Sequence, residues 1–250
     1  YGELRPNHFH AGLDFSTKGE MNVQVYAIEE GFVSRIRVSS VGYGKSIYIT
    51  HPNGKVSVYA HLNSFSLKIS QYAKKEQLAA QSFEIDFFPQ PKTVNIRKNE
   101  IIGLSGNSGG STGPHLHFEI RNEKTETPLN PLEFYHVKDY IAPTVHEIAF
   151  YDLSDTCAPK FIKSHKIKQH DQDTFVLEST HFILNHSIVG IAFSGSDRFS
   201  TGGNPNNIYS VKLLHNDQII YSHKLTHIDF ADNRYINEFR LLLFSFRKNA

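Results

Sequence analysis

Two short fragments of this chain bring together residue types that could hold a metal ion and use it: His10-Ala-Gly-Leu-Asp14 and Pro114-His115-Leu116-His117-Phe118. Leu116, Phe118 and Ile120 alternate with His115, His117 and Glu119, the period-two pattern of a strand with one apolar face, so both imidazoles point to the same side. Zinc in a hydrolase takes three protein ligands from histidine and carboxylate and leaves the fourth position to water. His10, Asp14 and one of the two strand histidines meet that requirement, with the other imidazole beside them. Each pair alone is weak, because the chain carries 15 histidines and most of them must be surface or packing residues. The setting strengthens both. His10 and Asp14 flank Gly12 and lead into Leu13 and Phe15, and the second pair follows the glycine-rich run from Gly103 to Gly113.

Three stretches carry a resemblance: Phe9-His10-Ala-Gly-Leu-Asp14, then Val58-Tyr59-Ala60-His61-Leu62, then Gly106-Asn-Ser-Gly-Gly-Ser-Thr-Gly-Pro-His115-Leu-His117-Phe-Glu-Ile-Arg121. In that order they are similar to the lysostaphin-like, LytM-type zinc endopeptidases, which cut peptide cross-links of bacterial cell walls. The resemblance covers roughly residues 1 to 135. It implies that His10, Asp14 and His117 hold one zinc per chain and that His115 and His61 are unliganded catalytic histidines. No position of that set is missing, whereas relatives that have lost ligands act as non-catalytic regulators. The resemblance also implies a small antiparallel β-rich domain of the duplicated hybrid motif, peptidoglycan peptides as substrate, and a periplasmic or extracellular, cell-wall-associated place of work.

An imidazole of near-neutral pKa can take the proton of an attacking water and pass it to a leaving amine, and a second can donate to a developing oxyanion. The base role is assigned to His115, adjacent to the ligand strand, and the oxyanion or proton-relay role to His61, although the two can be exchanged. Asn7 and His8 lie close to His10 in sequence, but neither is identified as a group that masks the metal, and His8 reads as a solvated rim residue. The glycine-rich run lacks the Lys-Ser/Thr ending of a phosphate loop and precedes a strand, so it reads as permissive backbone beside an extended substrate.

The elements that must position these residues are mainly β. Short strands are expected at Val25 to Ile28, Gly31 to Val38, Ser46 to His51, Lys55 to His61 and Asn99 to Ser105, with Pro52-Asn53-Gly54 as a hairpin turn. About residues 67 to 98 form an insertion, with a helix over Ile69 to Gln81 and a strand over Phe83 to Phe87 before Pro89 and Pro91. It is expected near the groove, either as a wall that selects substrate or as an inert excursion.

A domain boundary is expected at Asp139 to Thr144, dividing a zinc endopeptidase domain (1–139) from an immunoglobulin-like β-sandwich (144–250) that ends in a last strand or is cut short. Its strands are expected at Val145 to Tyr151, Thr174 to Leu177, Ser187 to Phe193, Ile208 to Leu214, Gln218 to His223 and Phe239 to Phe246. Asn216-Asp217 marks a hairpin, and a cell-wall protein is an expected partner through this domain. The eight histidines from His146 to His227 show no ligand spacing.

A net charge of +1 gives no support to nucleic-acid binding. The single cysteine, Cys157, excludes an internal disulfide framework. No run approaches the ~20 apolar residues of a membrane span. The start at Tyr1, without a charged n-region and apolar h-region, is what a processed or trimmed chain is expected to show.

Overall fold

A computed structural model describes the chain at all residues except 4, 6–7, 156, 170, 172–173, 178–180, 182, 199–205, 232–243 and 248–250, and describes 244–247 by backbone alone. The chain divides into two compact units: Ala11–Tyr135 with His227–Phe230, and Tyr1–His10 with His136–Thr226 and Ala231–Ala250.

The first unit is an antiparallel sheet with one helix. Its strands are β1 (Leu13–Ser16), β2 (Gln24–Tyr26), β3 (Gly31–Val38), β4 (Lys45–Thr50), β5 (Lys55–Phe65), β6 (Ile85–Phe87), β7 (Asn95–Ile96), β8 (Ile101–Ser105), β9 (His115–Asn122) and β10 (Pro128–Leu129). The main path runs β1-β9-β5-β4-β3-β6, with β8 bridging β5 and β2. Alternation explains one face: Tyr59, Leu62, Ile36, Ile47, Ile49, Phe118 and Ile120 join one apolar cluster. The opposite face of β9 is also buried, although it carries His117, Glu119 and Arg121. The hairpin expected at Pro52 to Gly54 joins β4 to β5, with Gly54 at φ +72° closing the turn.

The helix α1 (Leu67–Ala80) follows β5 and buries Ile69 and Ala73, one turn apart on one side. It ends at Gln81 in the left-handed region, whose N–H reaches back to the last carbonyls. β6 then pairs with β3 through Ile36↔Phe87 and Val38↔Ile85, and Arg35 donates to both oxygens of Asp86 at 2.6 Å each. The end of the insertion is thereby anchored on β3, at the far end of the strand path from β1. The alternation of Phe83 to Phe87 serves pairing with β3, a partner that spacing alone did not reveal.

In the second unit the strands are β11 (Thr144–Asp152), β12 (Lys160–Gln169), β13 (Phe175–Leu177), β14 (Ile188–Ser196), β15 (Ser210–His215), β16 (Gln218–Lys224) and β17 (Phe244–Arg247). They form a five-stranded sheet in the order β13-β12-β11-β14-β17 and a separate β15-β16 hairpin. The hairpin turns at Asn216 and Asp217, at φ +49° and +63°, the positive pair that a tight primed turn requires. β12 was not expected. Its sequence, Lys-Phe-Ile-Lys-Ser-His-Lys-Ile-Lys-Gln, is exposed or half-buried throughout and presents no apolar face to read. Of the last expected strand, residues 239–243 lie outside the described residues. Tyr1 and Phe9 are buried, and Asn207 donates to the Gly2 carbonyl at 2.8 Å. No described helix is long and apolar enough to cross a membrane.

Candidate functional site

β9 supplies the centre of the site. β1 lies antiparallel to it with Asp14 opposite His117 and Ser16 opposite His115, and on its other side Ala60 of β5 stands opposite His117. Directly opposed residues on neighbouring strands share a face, so Asp14 and His117 must meet. Their side chains do: Asp14 Oδ1 lies 2.9 Å from His117 Nδ1. His10 sits four residues before Asp14, its backbone held by two 2.8 Å hydrogen bonds, its N–H to the Glu3 carbonyl and its carbonyl to the Gly2 N–H. One donor atom from each of His10, Asp14 and His117 falls within 4.8 Å of the other two, a group that could hold a metal ion. Imidazole nitrogens and a carboxylate oxygen, with both imidazoles buried, are a donor set that suits a catalytic zinc.

Gly12 makes this approach possible. A Cβ there would stand 2.2 Å from the Phe118 carbonyl oxygen and 2.8 Å from Glu119 Cγ, so any side chain would push β1 off β9.

His61 and His115 flank the group. Plain alternation along β5 would send His61 to the face of Tyr59, into the core. Instead its φ is +58° and the register shifts just beyond it, a bulge that keeps Tyr59 and Leu62 in the core while turning the imidazole toward β9. Its ring centroid lies 4.8 Å from that of His115 and 5.8 Å from that of His117. Each of the two histidines is oriented by a backbone carbonyl of the glycine-rich loop: His61 Nδ1 donates to Ser108 at 2.9 Å, and His115 Nδ1 to Gly113 at 2.8 Å. Those bonds place the ring proton on Nδ1 and leave Nε2 as the basic nitrogen of both. The loop itself is pinned: Ser108 Oγ donates to the Leu62 carbonyl at 2.8 Å and accepts the Lys45 N–H at 2.9 Å. Burial pushes the proton affinity of His61 below the ordinary histidine value, the Ser108 carbonyl opposes this, and charge on His115 or His117 adds to the lowering.

Behind His117 lies a polar cluster that spacing analysis did not single out. Glu119 is fully buried and pairs with His117 and Arg121, with Tyr43 donating to the same carboxylate. Burial opposes its charge, yet these partners win and hold the Glu119 carboxyl well below its usual range. Burial likewise disfavours a charged His117, and its hydrogen bonds to Asp14 and Glu119 outweigh that and raise its affinity for a proton. The available signal was the continuation of the polar alternation of His115 and His117 through Glu119 to Arg121. Of the other expected residues, His8 is exposed, and Asn7 lies outside the described residues.

The model of Peptidase family M23 matches residues 8–92 and 91–131. The chain is 32% identical over 123 residues to the DD-carboxypeptidase/endopeptidase Mpg of Neisseria meningitidis, covering 49% of this chain and 22% of that protein. It is 29% identical over 111 residues to the peptidoglycan DD-endopeptidase ShyA of Vibrio cholerae, covering 44% of this chain and 20% of that protein. The chain thus spans about a fifth of the length of these curated relatives. Among solved structures it is similar to the catalytic domain of lysostaphin from Staphylococcus simulans, with 25% identity and a TM-score of 0.39, covering 54% of this chain and 86% of that one. Through the domain at residues 8–131, the chain belongs to Peptidase family M23.

Proposed function

We propose that this protein is a zinc-dependent endopeptidase that hydrolyses peptide cross-links or stem peptides of bacterial peptidoglycan, working outside the cytoplasmic membrane in the periplasm or extracellular space. The observation that carries this reading is the convergence of His10, Asp14 and His117 with two carbonyl-oriented histidines beside them. The names of the relatives support peptidoglycan as the substrate class.

His10, Asp14 and His117 would hold the zinc. When bound, the metal supplies an activated water and a Lewis acid for the scissile carbonyl. His115, through Nε2, accepts the proton of the attacking water and delivers it to the leaving amine. His61 sits beside it in a buried setting that favours its neutral form, suited to a proton-relay role in which Nε2 takes up a proton and then donates it toward the developing oxyanion. The loop carbonyls of Ser108 and Gly113 keep both rings oriented, so neither has to search for its geometry during the reaction.

The second unit is read as an immunoglobulin-like β-sandwich, supported by its five-stranded antiparallel sheet and separate hairpin. Such a module would give the enzyme a second attachment to the polymer or to a cell-wall protein. A non-cutting wall-binding module is the weaker reading, because a binding groove needs neither the ligand trio nor two oriented histidines.

Purified protein incubated with isolated sacculi, and separately with casein or elastin, each with and without chelator, tests the proposal. Chelator-sensitive release of muropeptides from sacculi is expected. Binding to sacculi without release, or cleavage of casein or elastin alone, would overturn it.

A further inference from the structure

We infer that Glu119, braced by Tyr43 and Arg121, is a positioning residue that fixes the His117 ring so that Nδ1 is the nitrogen presented to the metal. The inference rests on the proposed zinc site and extends it to residues behind the ligands. Glu119 Oε1 accepts from His117 Nε2 at 2.8 Å and from the Tyr43 hydroxyl at 2.5 Å, while Oε2 accepts from Arg121 Nε at 2.6 Å. With the Nε2 proton committed to Glu119, Nδ1, which donates to Asp14 Oδ1 when no metal is bound, is the nitrogen whose lone pair becomes available to a metal once its proton leaves. Metal-binding histidines characteristically donate their other ring N–H to a carboxylate in this way, which sets both orientation and basicity.

The carboxylate is itself immobilised from three directions. Tyr43 stacks on the His117 ring with centroids 5.3 Å apart and planes at 25°, so one residue sandwiches the ligand and braces its carboxylate partner. Arg121 Nη2 reaches the Tyr43 hydroxyl at 3.3 Å, and its guanidinium lies over the rings of Tyr43, Tyr48 and Phe230 at 5.7, 5.4 and 4.9 Å. Glu119 and Arg121 thus neutralise each other in a site where an uncompensated charge would be costly. The bare requirement of a buried ion pair does not explain why Glu119 also points one oxygen at His117. Orientation of the ligand does.

The test measures zinc affinity by chelator competition in the parent protein, Tyr43→Phe, Glu119→Gln and Glu119→Leu, with the melting temperature of each zinc-free protein recorded alongside. Glu119→Gln keeps an acceptor for His117 while losing the charge, and Glu119→Leu loses both. The expected order of affinity is parent, then Tyr43→Phe, then Glu119→Gln, then Glu119→Leu, with Glu119→Gln weaker than the parent by about 10–100-fold, the usual scale for losing such a partner. Nitrogen-15 spectra of the zinc-loaded parent should show His117 coordinated through Nδ1 with its proton on Nε2. A parent that binds zinc while Tyr43→Phe and Glu119→Gln bind it equally well overturns this inference alone, as does coordination through Nε2. A parent that binds no zinc overturns both this inference and the site on which it rests. If the Glu119 variants do not fold, the Tyr43→Phe affinity and the parent spectrum decide.

Discussion

The two units solve the problem of histidine on a β-sheet differently. In the first, His61, His115 and His117 each have a fixed partner, a carbonyl for two of them and a buried carboxylate for the third, on a sheet whose two faces are both covered around β9. In the second, His146 reaches Ser196 at 3.3 Å and His186 reaches Asp152 at 3.1 Å, and no group of three metal-ligating residues forms among the described residues there. Burial differs in parallel. The second unit buries Phe150, Leu153, Ala192 and Leu225 from its long stretch, whereas the first has a continuous core from Val25 to Ile120. A histidine becomes a candidate for chemistry when the fold invests rigid backbone in its orientation, and abundance of histidine in a sequence is no guide to that.

The strongest way to break this contrast is to remove a ligand. Asp14→Ala or His117→Ala should abolish metal binding and with it nearly all activity, while the unfolding of the second unit stays where it was. Metal content by elemental analysis, together with calorimetry, checks both halves of the statement. Full metal occupancy in His117→Ala would sink the ligand assignment.

The next effect separates holding the metal from using it. His115→Ala and His61→Ala should keep the metal yet lose about a hundredfold or more in turnover, the scale of lost general acid–base or oxyanion assistance. Replacing His146 or His186 by glutamine should leave turnover unchanged. If either of those mattered as much as His61, the contrast between the units would fail.

A pH profile sharpens the same point. Burial and neighbouring imidazoles depress the pKa of His61, so it stays neutral below the ordinary histidine value of about 6.5 and takes up its proton only at lower pH. A rate that needs neutral His61 should therefore fall on an acid limb lying below pH ~6.5, and His61→Ala should lose that limb. His51 is lowered by burial too, with Nδ1 donating to the Glu30 carbonyl at 2.7 Å and Nε2 beside Ser57 Oγ at 2.8 Å. The unfolded chain binds the proton first, so the stability contributed by neutral His51 is complete above about pH 6.5 and is lost as pH falls below that value. Melting temperature of the metal-free protein against pH measures it.

How much of this was legible in the sequence depended on whether spacing or environment carried the information. The His10–Asp14 and His115–His117 spacings and the strands around them could be read because metal ligands and alternation leave local traces. The role of β9's other face could not. Period two says that Glu119 and Arg121 lie opposite Phe118 and Ile120, but not that both faces are buried. The turn of His61 was equally hidden, since a positive φ in mid-strand at a histidine has no sequence mark. β12 lacked an apolar stripe, and the partner of β6 was a question of topology, for which a single chain segment holds no signal.

The smallest expected effect concerns that edge strand, and it tests whether the insertion belongs to the site or to the scaffold. Arg35 and Asp86 make a two-pronged pair across β3 and β6, but the Asp86 side chain is 42% exposed, so solvent screens much of the attraction. The Asp86 carboxyl is held below its usual range first by its hydrogen bond to Arg35, so the stabilisation is present above about pH 4 and fades as acid protonates the group. Asp86→Asn should therefore cost about 0.5 kcal/mol at neutral pH, visible as a small drop in denaturant midpoint, and the cost should shrink toward pH 3. Turnover and the choice of peptide should not change, because β6 lies on the edge opposite β1. A change in peptide preference in Asp86→Asn would show that the insertion acts on the substrate groove and give the first unit a second functional edge.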